Sequence, residues 1–238
     1  MTEIRNYDTP ALVAAAAAES AVEILQEAIT RNGEAYWVLA GGSSPIAAYK
    51  ELVKHYADAV DWSKVTVLIG DERFVPLDHK DSNWGTILPL FDADEHFSAM
   101  VHIEPEIIET VELTAQSYES RIQSLGIEQF DLVWIGVGED GHTLSLFPGN
   151  TAFTDEHSGW VVPVYNAPKA PSERFSLSLE AMRHISELVI FATGVAKKDI
   201  LRQARLKGGL PVAVVAEVAE TSGGEVRWLY DDAAWGEV

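Results

Sequence analysis

Ala35-Tyr36-Trp37-Val38-Leu39-Ala40 runs straight into Gly41-Gly42-Ser43-Ser44-Pro45, after which Ile46 to Tyr56 takes up a helical period. An unbroken apolar run ended by glycines fits a strand buried on both faces, as strands of parallel sheets are. The same unit recurs along the chain. Val65-Thr66-Val67-Leu68-Ile69-Gly70 is a second such strand, with Asp71-Glu72-Arg73 at its exit. Asp131-Leu132-Val133-Trp134-Ile135-Gly136 is a third, followed by a polar, glycine-rich turn. Leu188 to Ala192 is a further apolar strand, and Phe175 to Leu179 alternates like one. Helices are predicted over Pro10 to Arg31, stopped by Asn32-Gly33, over Leu113 to Leu125, stopped by Gly126, and over Ala196 to Arg205. Val212 to Val215 and Val226 to Tyr230 are apolar segments whose type the pattern leaves open. Strands alternating with helices predict an α/β protein: a mostly parallel sheet flanked by helices on both faces. Without an internal repeat, a low-complexity linker or a composition break, residues 1–238 are expected to form one domain.

Composition narrows the classes. The chain carries 37 acidic against 17 basic residues, a net charge of −20 that repels nucleic-acid backbones and anionic membrane surfaces. Neither nucleic acid nor membrane is therefore expected as a partner. Met1 to Pro10 lacks a basic segment followed by an apolar one, and no apolar run approaches the ~18 residues of a membrane span, so a cytoplasmic protein is expected. The absence of cysteine removes disulfides and cysteine-based metal sites. His55, His79, His96, His102, His157 and His184 show no ligand-like spacing, so no metal site is predicted.

In open parallel sheets ligands bind outside the carboxyl ends of the strands, and three strands here end in chemically capable turns. Gly41-Gly42-Ser43-Ser44-Pro45 offers close backbone approach, two hydroxyls able to cap the helix or bind an anion, and a helix N-terminus. On its own it also reads as a plain strand–helix turn, and it lacks the lysine of a Walker loop. Asp71-Glu72-Arg73 supplies two carboxylates and a guanidinium suited to phosphate, or else a surface ion-pair loop. Downstream, Asp81-Ser82-Asn83 reads as an N-cap for Trp84 to Leu90. Gly136-Val137-Gly138-Glu139-Asp140-Gly141-His142-Thr143 contains a literal G-x-G-x-x-G, but Phe147-Pro148-Gly149-Asn150 interrupts where a dinucleotide fold needs a long helix. His142 beside Asp140 on this loop is instead placed to act as a general base near neutral pH. Pro168-Lys169-Ala170-Pro171-Ser172-Glu173-Arg174 and Gly194-Val195-Ala196-Lys197-Lys198 bring further cations to strand ends.

At these residues the sequence resembles the 6-phosphogluconolactonase family, related to the glucosamine-6-phosphate isomerases and deaminases. The likeness runs through Leu39 to Pro45, Asp71 to Pro76 with Ser82-Asn83, Gly138 to Gly149, Pro168-Lys169, Glu173-Arg174, and Gly194 with Lys197. The block Gly141-His142-Thr143 ending in Leu146-Phe147-Pro148-Gly149 is its most specific part. Ser44 stands where threonine is commoner, and Leu144 where alanine is usual. Amino-sugar isomerases typically carry Asp-Glu-Tyr at the second loop and Gly-His-Ile followed by Asn-Glu-Pro at the third. Arg73, Thr143 and Phe147-Pro148-Gly149 depart from that pattern towards the lactonases.

The resemblance implies a Rossmann-like fold of the sugar-phosphate isomerase type and hydrolysis of 6-phospho-D-glucono-1,5-lactone to 6-phospho-D-gluconate, without a cofactor. It implies that Gly41, Gly42, Ser43 and Ser44 hold the phosphate with help from Arg73, Lys169, Arg174 and Lys197. His142 would activate water, oriented by Asp140 or by Asp71, the latter also a candidate for a substrate hydroxyl. The partner is then a small phosphorylated sugar lactone, and a monomer or weak homodimer is expected. The alternatives are an amino-sugar-phosphate isomerase or deaminase, a ketose/aldose-phosphate isomerase, and a non-enzymatic sugar-phosphate-binding domain. The last is disfavoured by the charge and by the lack of a helix-turn-helix segment.

Overall fold

The computed structural model describes residues 2–235. Its backbone begins with an edge strand, β1 (Thr2–Tyr7), whose mixed polar sequence the apolar pattern does not reveal. Helix α1 (Pro10–Asn32) follows, with Thr9 accepting at the N-cap, Pro10 in the first turn, and left-handed Gly33 (φ 86°) ending it as predicted. β2 (Ala35–Leu39) then leads into α2 (Ser43–His55), and β3 (Val65–Ile69) follows. α2 begins three residues before the expected Ile46, so Ser43 and Ser44 lie inside its first turn. The N-cap is Gly42, and no side chain caps it.

After β3 the chain does not form the expected loop. Asp71–Arg73 is a short strand, β4, antiparallel to β8 (Arg174–Leu177), which in turn pairs with β7 (Val161–Val164). The predicted strand at Phe175 to Leu179 thus belongs to a separate three-stranded antiparallel sheet. Local pattern missed β4 because three charged residues are extended only by pairing with a partner about a hundred positions away. Between β4 and β7 lie α3 (Asn83–Asp92), β5 (Val101–Ile103), α4 (Val111–Ser124), β6 (Phe130–Gly136) and the short α5 (Thr151–Thr154). β9 (Ile185–Ala192), α6 (Lys198–Lys207), α7 (Pro211–Thr221), β10 (Glu225–Asp231) and α8 (Asp232–Trp235) complete the chain. Both open segments are thereby settled: Val212 to Val215 is helical behind Pro211, and Val226 to Tyr230 is a strand.

The main sheet has seven strands, all parallel, in the order β5-β3-β2-β6-β9-β10-β1. It is a mostly parallel sheet flanked by helices, and its inner strands are buried along nearly their whole length. Against it Trp37, Tyr49, Phe91 and Trp134 interlock, with Trp37 and Trp134 edge to face at 4.9 Å and Tyr49 stacked on Trp134 at 5.0 Å.

Two buried phenols pin the strand ends that matter for function. Tyr49 Oη accepts from the Ala40 N–H (2.9 Å) and donates to the Ala40 carbonyl (3.1 Å). Tyr118 Oη does the same with Ile69, at 2.8 and 3.0 Å. Burial raises both phenols far above their ordinary pKa, so each remains a neutral donor and acceptor. The backbone just past β2 and at the end of β3 is therefore fixed from behind, by helices α2 and α4.

Candidate active site

From β2 the chain proceeds outward to β3 and β5, while β6 returns to lie on the other side of β2. This reversal between β2 and β6 is a topological switch point, where the crevice at the strand ends is open for a ligand. A cavity of about 210 Å³ occupies it, lined by Gly41 and Gly42 after β2 and by Gly136, Gly138 and His142 after β6. Asp71 and Arg73 of β4, Asn83 at the start of α3 and Arg174 at the start of β8 close it on one side, and Lys169 and Lys197 from the turns before β8 and α6.

His142 lines this cavity. Its Nδ1–H donates to Asp140 Oδ1 in a very short contact, and its backbone N–H reaches the same oxygen at 3.3 Å. An ionised carboxylate can only accept, so Nδ1 carries the proton and Nε2 is left with its lone pair. The turn that holds them closes through Gly138 N–H to the His142 carbonyl (2.7 Å) and Gly141 N–H to the Gly138 carbonyl (3.0 Å). Gly138 is needed for space: a Cβ there would come 1.9 Å from His142 Nδ1. Burial lowers the His142 pKa below its ordinary value, and Lys169 adds to this; Asp140 and Asp71 oppose it without cancelling it. The imidazole is therefore neutral at neutral pH, the form a general base requires. For Asp140, burial pushes upward but is outweighed by the hydrogen bonds and charge of His142, which hold the carboxyl below its usual range.

Glu72 explains how the second loop is built. It is fully buried and accepts four hydrogen bonds: Arg73 N (2.7 Å), Asn83 N (2.8 Å), Ser82 Oγ (2.9 Å) and Trp84 N (2.7 Å). Three of these donors belong to the start of α3, where a negative charge also meets the positive end of the helix. The surface ion-pair alternative for Asp71-Glu72-Arg73 is thus corrected. Ser82 is the N-cap expected from sequence, accepting from Gly85 N at 2.9 Å.

Asp71 is nearly buried and takes a 2.5 Å hydrogen bond from Ser145 Oγ, while its carbonyl accepts from Asn83 Nδ2 (2.9 Å). Arg73 holds the Asp81 carbonyl through Nη1 (2.6 Å), and its Nη2 makes no hydrogen bond among the described residues. Arg174, buried to 4% exposure, spends Nε on the Pro171 carbonyl and Nη2 on that of Lys169, so it also braces the loop that carries Lys169. Burial lowers the pKa of Lys197, partly offset by Glu139 and Asp140.

Of the residues singled out from sequence, Gly41, Gly42, Asp71, Arg73, His142, Lys169, Arg174 and Lys197 line the cavity; Asp140 reaches it only through His142, and Ser43 and Ser44 do not line it. Ser44 Oγ instead shares a 2.6 Å hydrogen bond with Thr193 Oγ1, which ties α2 to the end of β9. Asn83, read from sequence only as part of a helix cap, does line the cavity, and it packs so closely that a Cβ on Gly41 would meet its Oδ1 at 2.0 Å. The Ser82-Asn83 pair was the available signal. Arg73, Lys169, Arg174 and Lys197 share the cavity wall with Asp71, a local excess of cations in a chain that is −20 overall. Among the described residues no group of three or more His, Asp or Glu is arranged to hold a metal ion, and no helix is long and apolar enough to cross a membrane.

Fold and site together define a doubly wound α/β protein with a cation-lined cleft at the switch point and, on its wall, an imidazole held by Asp140. Residues 8–228 match the family model described as glucosamine-6-phosphate isomerases/6-phosphogluconolactonase, and the chain belongs to this family. It is 33% identical to the 6-phosphogluconolactonase of Mycobacterium leprae, covering 92% of this chain and 91% of that one. It is 34% identical to 6-phosphogluconolactonase-like protein 2 of Saccharomyces cerevisiae, over 84% of this chain but just under two thirds (66%) of that longer protein. The crystal structure of a 6-phosphogluconolactonase from Shewanella baltica superposes with a TM-score of 0.84 at 26% identity, covering 97% of this chain and 98% of that one.

Proposed function

We propose that this chain hydrolyses 6-phospho-D-glucono-1,5-lactone to 6-phospho-D-gluconate, with His142 as general base. The observation that carries the reading is the neutral His142, its Nδ1 held by Asp140, on the wall of a cavity whose other side is cationic. The names of the relatives support the same substrate.

The phosphate would lie against the free N–H groups at the start of α2, beside Gly42, with Arg73, Lys169, Arg174 and Lys197 supplying charge. That anchoring sets the lactone carbonyl against His142. Nε2 takes a proton from water, the hydroxide adds to C1, and a tetrahedral oxyanion forms. As it collapses the C1–ring oxygen bond breaks, and the imidazolium returns its proton to the departing oxygen. Asp140 stabilises the transient imidazolium and fixes its orientation, while Asp71 is the candidate acceptor for a sugar hydroxyl. The reading takes residues 1–238 as one cytoplasmic domain, monomeric or weakly dimeric, needing no cofactor.

The test is acid release from freshly generated 6-phosphogluconolactone, corrected for spontaneous opening. Enzyme-dependent release with 6-phosphogluconate as product is expected. Ring isomerisation or ammonia release from an amino-sugar phosphate, without lactone hydrolysis, would move the chain to the family's other activity; binding without turnover would make it a sugar-phosphate-binding domain.

A further inference from the structure

Phe147 has no role in the mechanism above, yet it touches its central group. The chain reverses directly after His142: Leu146 N–H bonds to the Thr143 carbonyl (2.9 Å), and Leu144 takes the left-handed conformation, φ 53°. A leucine is uncommon there, the kind of local strain that surrounding packing must hold in place. The reversal brings Phe147 back against the histidine five residues earlier. Their ring centroids lie 4.4 Å apart with planes tilted by 34°, and Phe147 is 1% exposed. The Arg174 guanidinium stands 5.3 Å from the centre of the same aromatic ring. His142 is thus bounded by Asp140 at Nδ1, by the Gly138 backbone, and by a buried ring with a cation on it.

We infer that Phe147 is a positioning residue for His142, holding the imidazole plane so that Nε2 faces the substrate while the ring keeps water from the remainder. The inference rests on the general-base reading for its effect on turnover, but the geometry it describes stands independently of any activity. A benzene ring has no proton to exchange, so its action is orientation and exclusion of water. Removing it admits water to the imidazole, whose charged form is then less penalised. The other groups that act on His142 are Asp140 on its own loop, Asp71 on β4 and Lys169 before β8, with Arg174 against the Phe147 ring; all of them remain in the variant.

The experiment pairs Phe147→Leu with Phe147→Met, whose unbranched, flexible side chain can refill part of the space, in the full chain. Phe175→Leu serves as the control, since Phe175 is equally buried but packs on Tyr118. Two quantities are read: kcat and KM on the phosphorylated lactone, and the NMR titration of the His142 Cε1–H. Both Phe147 variants should lower kcat about 10-fold or more, with KM within about twofold of wild type, and should move the His142 titration to higher pH. Phe175→Leu should lower the melting temperature and leave the titration in place. An unmoved titration in a folded Phe147 variant, or the same shift in Phe175→Leu, overturns the inference. If Phe147→Leu does not fold, Phe147→Met decides by the same criteria. If the wild-type chain turns over no lactone, the functional reading fails and the titration alone decides on Phe147.

Discussion

Asp140 and Glu72 are both carboxylates at the carboxyl edge of the main sheet, one past the end of β6 and the other just beyond β3. Glu72 is sealed off and receives four hydrogen bonds, three of them from backbone N–H groups. Asp140 is more exposed, and its one side-chain partner is a titratable imidazole. The difference separates architecture from chemistry. A carboxylate whose lone pairs are all claimed by fixed donors stiffens a loop and has nothing left to exchange. A carboxylate that shares a proton-bearing neighbour can respond when that neighbour changes charge. The comparison therefore predicts that the Glu72 group is felt mainly in stability and the Asp140 group mainly in rate.

The largest effect is expected at His142. His142→Ala should lower kcat by ~10²–10⁴-fold, with the fold retained because the ring is only partly buried, at the cavity wall. A variant retaining more than about half of wild-type kcat would remove the base and collapse the comparison. Glu72→Ala is the counterpart. It strands four donors in a buried site, so ~3 kcal/mol of unfolding free energy should be lost, measurable from the urea midpoint. A stability loss as small as that of Asp140→Ala would show that Glu72 is no architectural hub.

Sequence made one half of this comparison visible and hid the other. His142 with Asp140 was legible because two polar, chemically paired residues follow a long apolar strand within six positions of its end. β2, β3 and β6 were legible for the same reason that makes them inner strands: burial on both faces leaves no polar alternation. Glu72 was not, since a charged residue is expected in solvent, and only the non-local pairing of β4 with β8 carries it inside. Edge strand β1 is mostly polar, β5 is only three residues long, and β7 is apolar but four residues long and interrupted by Pro163, so none registers as a strand. In α7, Val212 to Val215 favours strand by β-branching, and the helix there rests on Pro211 and packing rather than propensity. Ser43 and Ser44 read as capping residues because the helical period becomes visible only at Ile46, three residues after α2 starts.

Arg73 belongs to both neighbourhoods: its backbone N–H serves Glu72 while its guanidinium reaches the cavity. Only the side chain should matter for substrate. A charge-assisted contact is worth roughly 1.5–3 kcal/mol, so Arg73→Ala should lower kcat/KM for the phosphorylated lactone about 10–150-fold. Unphosphorylated gluconolactone should be affected far less, and Arg73→Lys should recover only part of the loss, lacking the planar fork. An equal fall for both lactones would assign Arg73 to the scaffold with Glu72.

The smallest effect, a displacement along the pH axis, discriminates most sharply between the two carboxylates. Protonation of His142 removes the base, so kcat/KM must fall on the acid side as pH drops through the pKa of the free enzyme's imidazole. Burial holds that pKa below its ordinary value of 6.5, which places the acid limb below pH 6.5 in the wild type. Asp140 acts in the opposite sense, since its charge and hydrogen bond favour the imidazolium. Asp140→Asn removes the charge and should therefore move the limb to still lower pH. The same change lets an amide N–H compete for Nδ1 and favour the wrong tautomer, so the plateau should also drop. The variant is then slower at neutral pH yet keeps its residual activity further into acid. Glu72→Gln, which alters a buried carboxylate that makes no contact with His142, should leave the limb where it is. The measurement is the pH profile of kcat/KM for the three proteins. A limb that rises in Asp140→Asn, or that shifts equally in Glu72→Gln, would mean that the cavity's overall charge, rather than the Asp140 contact, sets the basicity of His142.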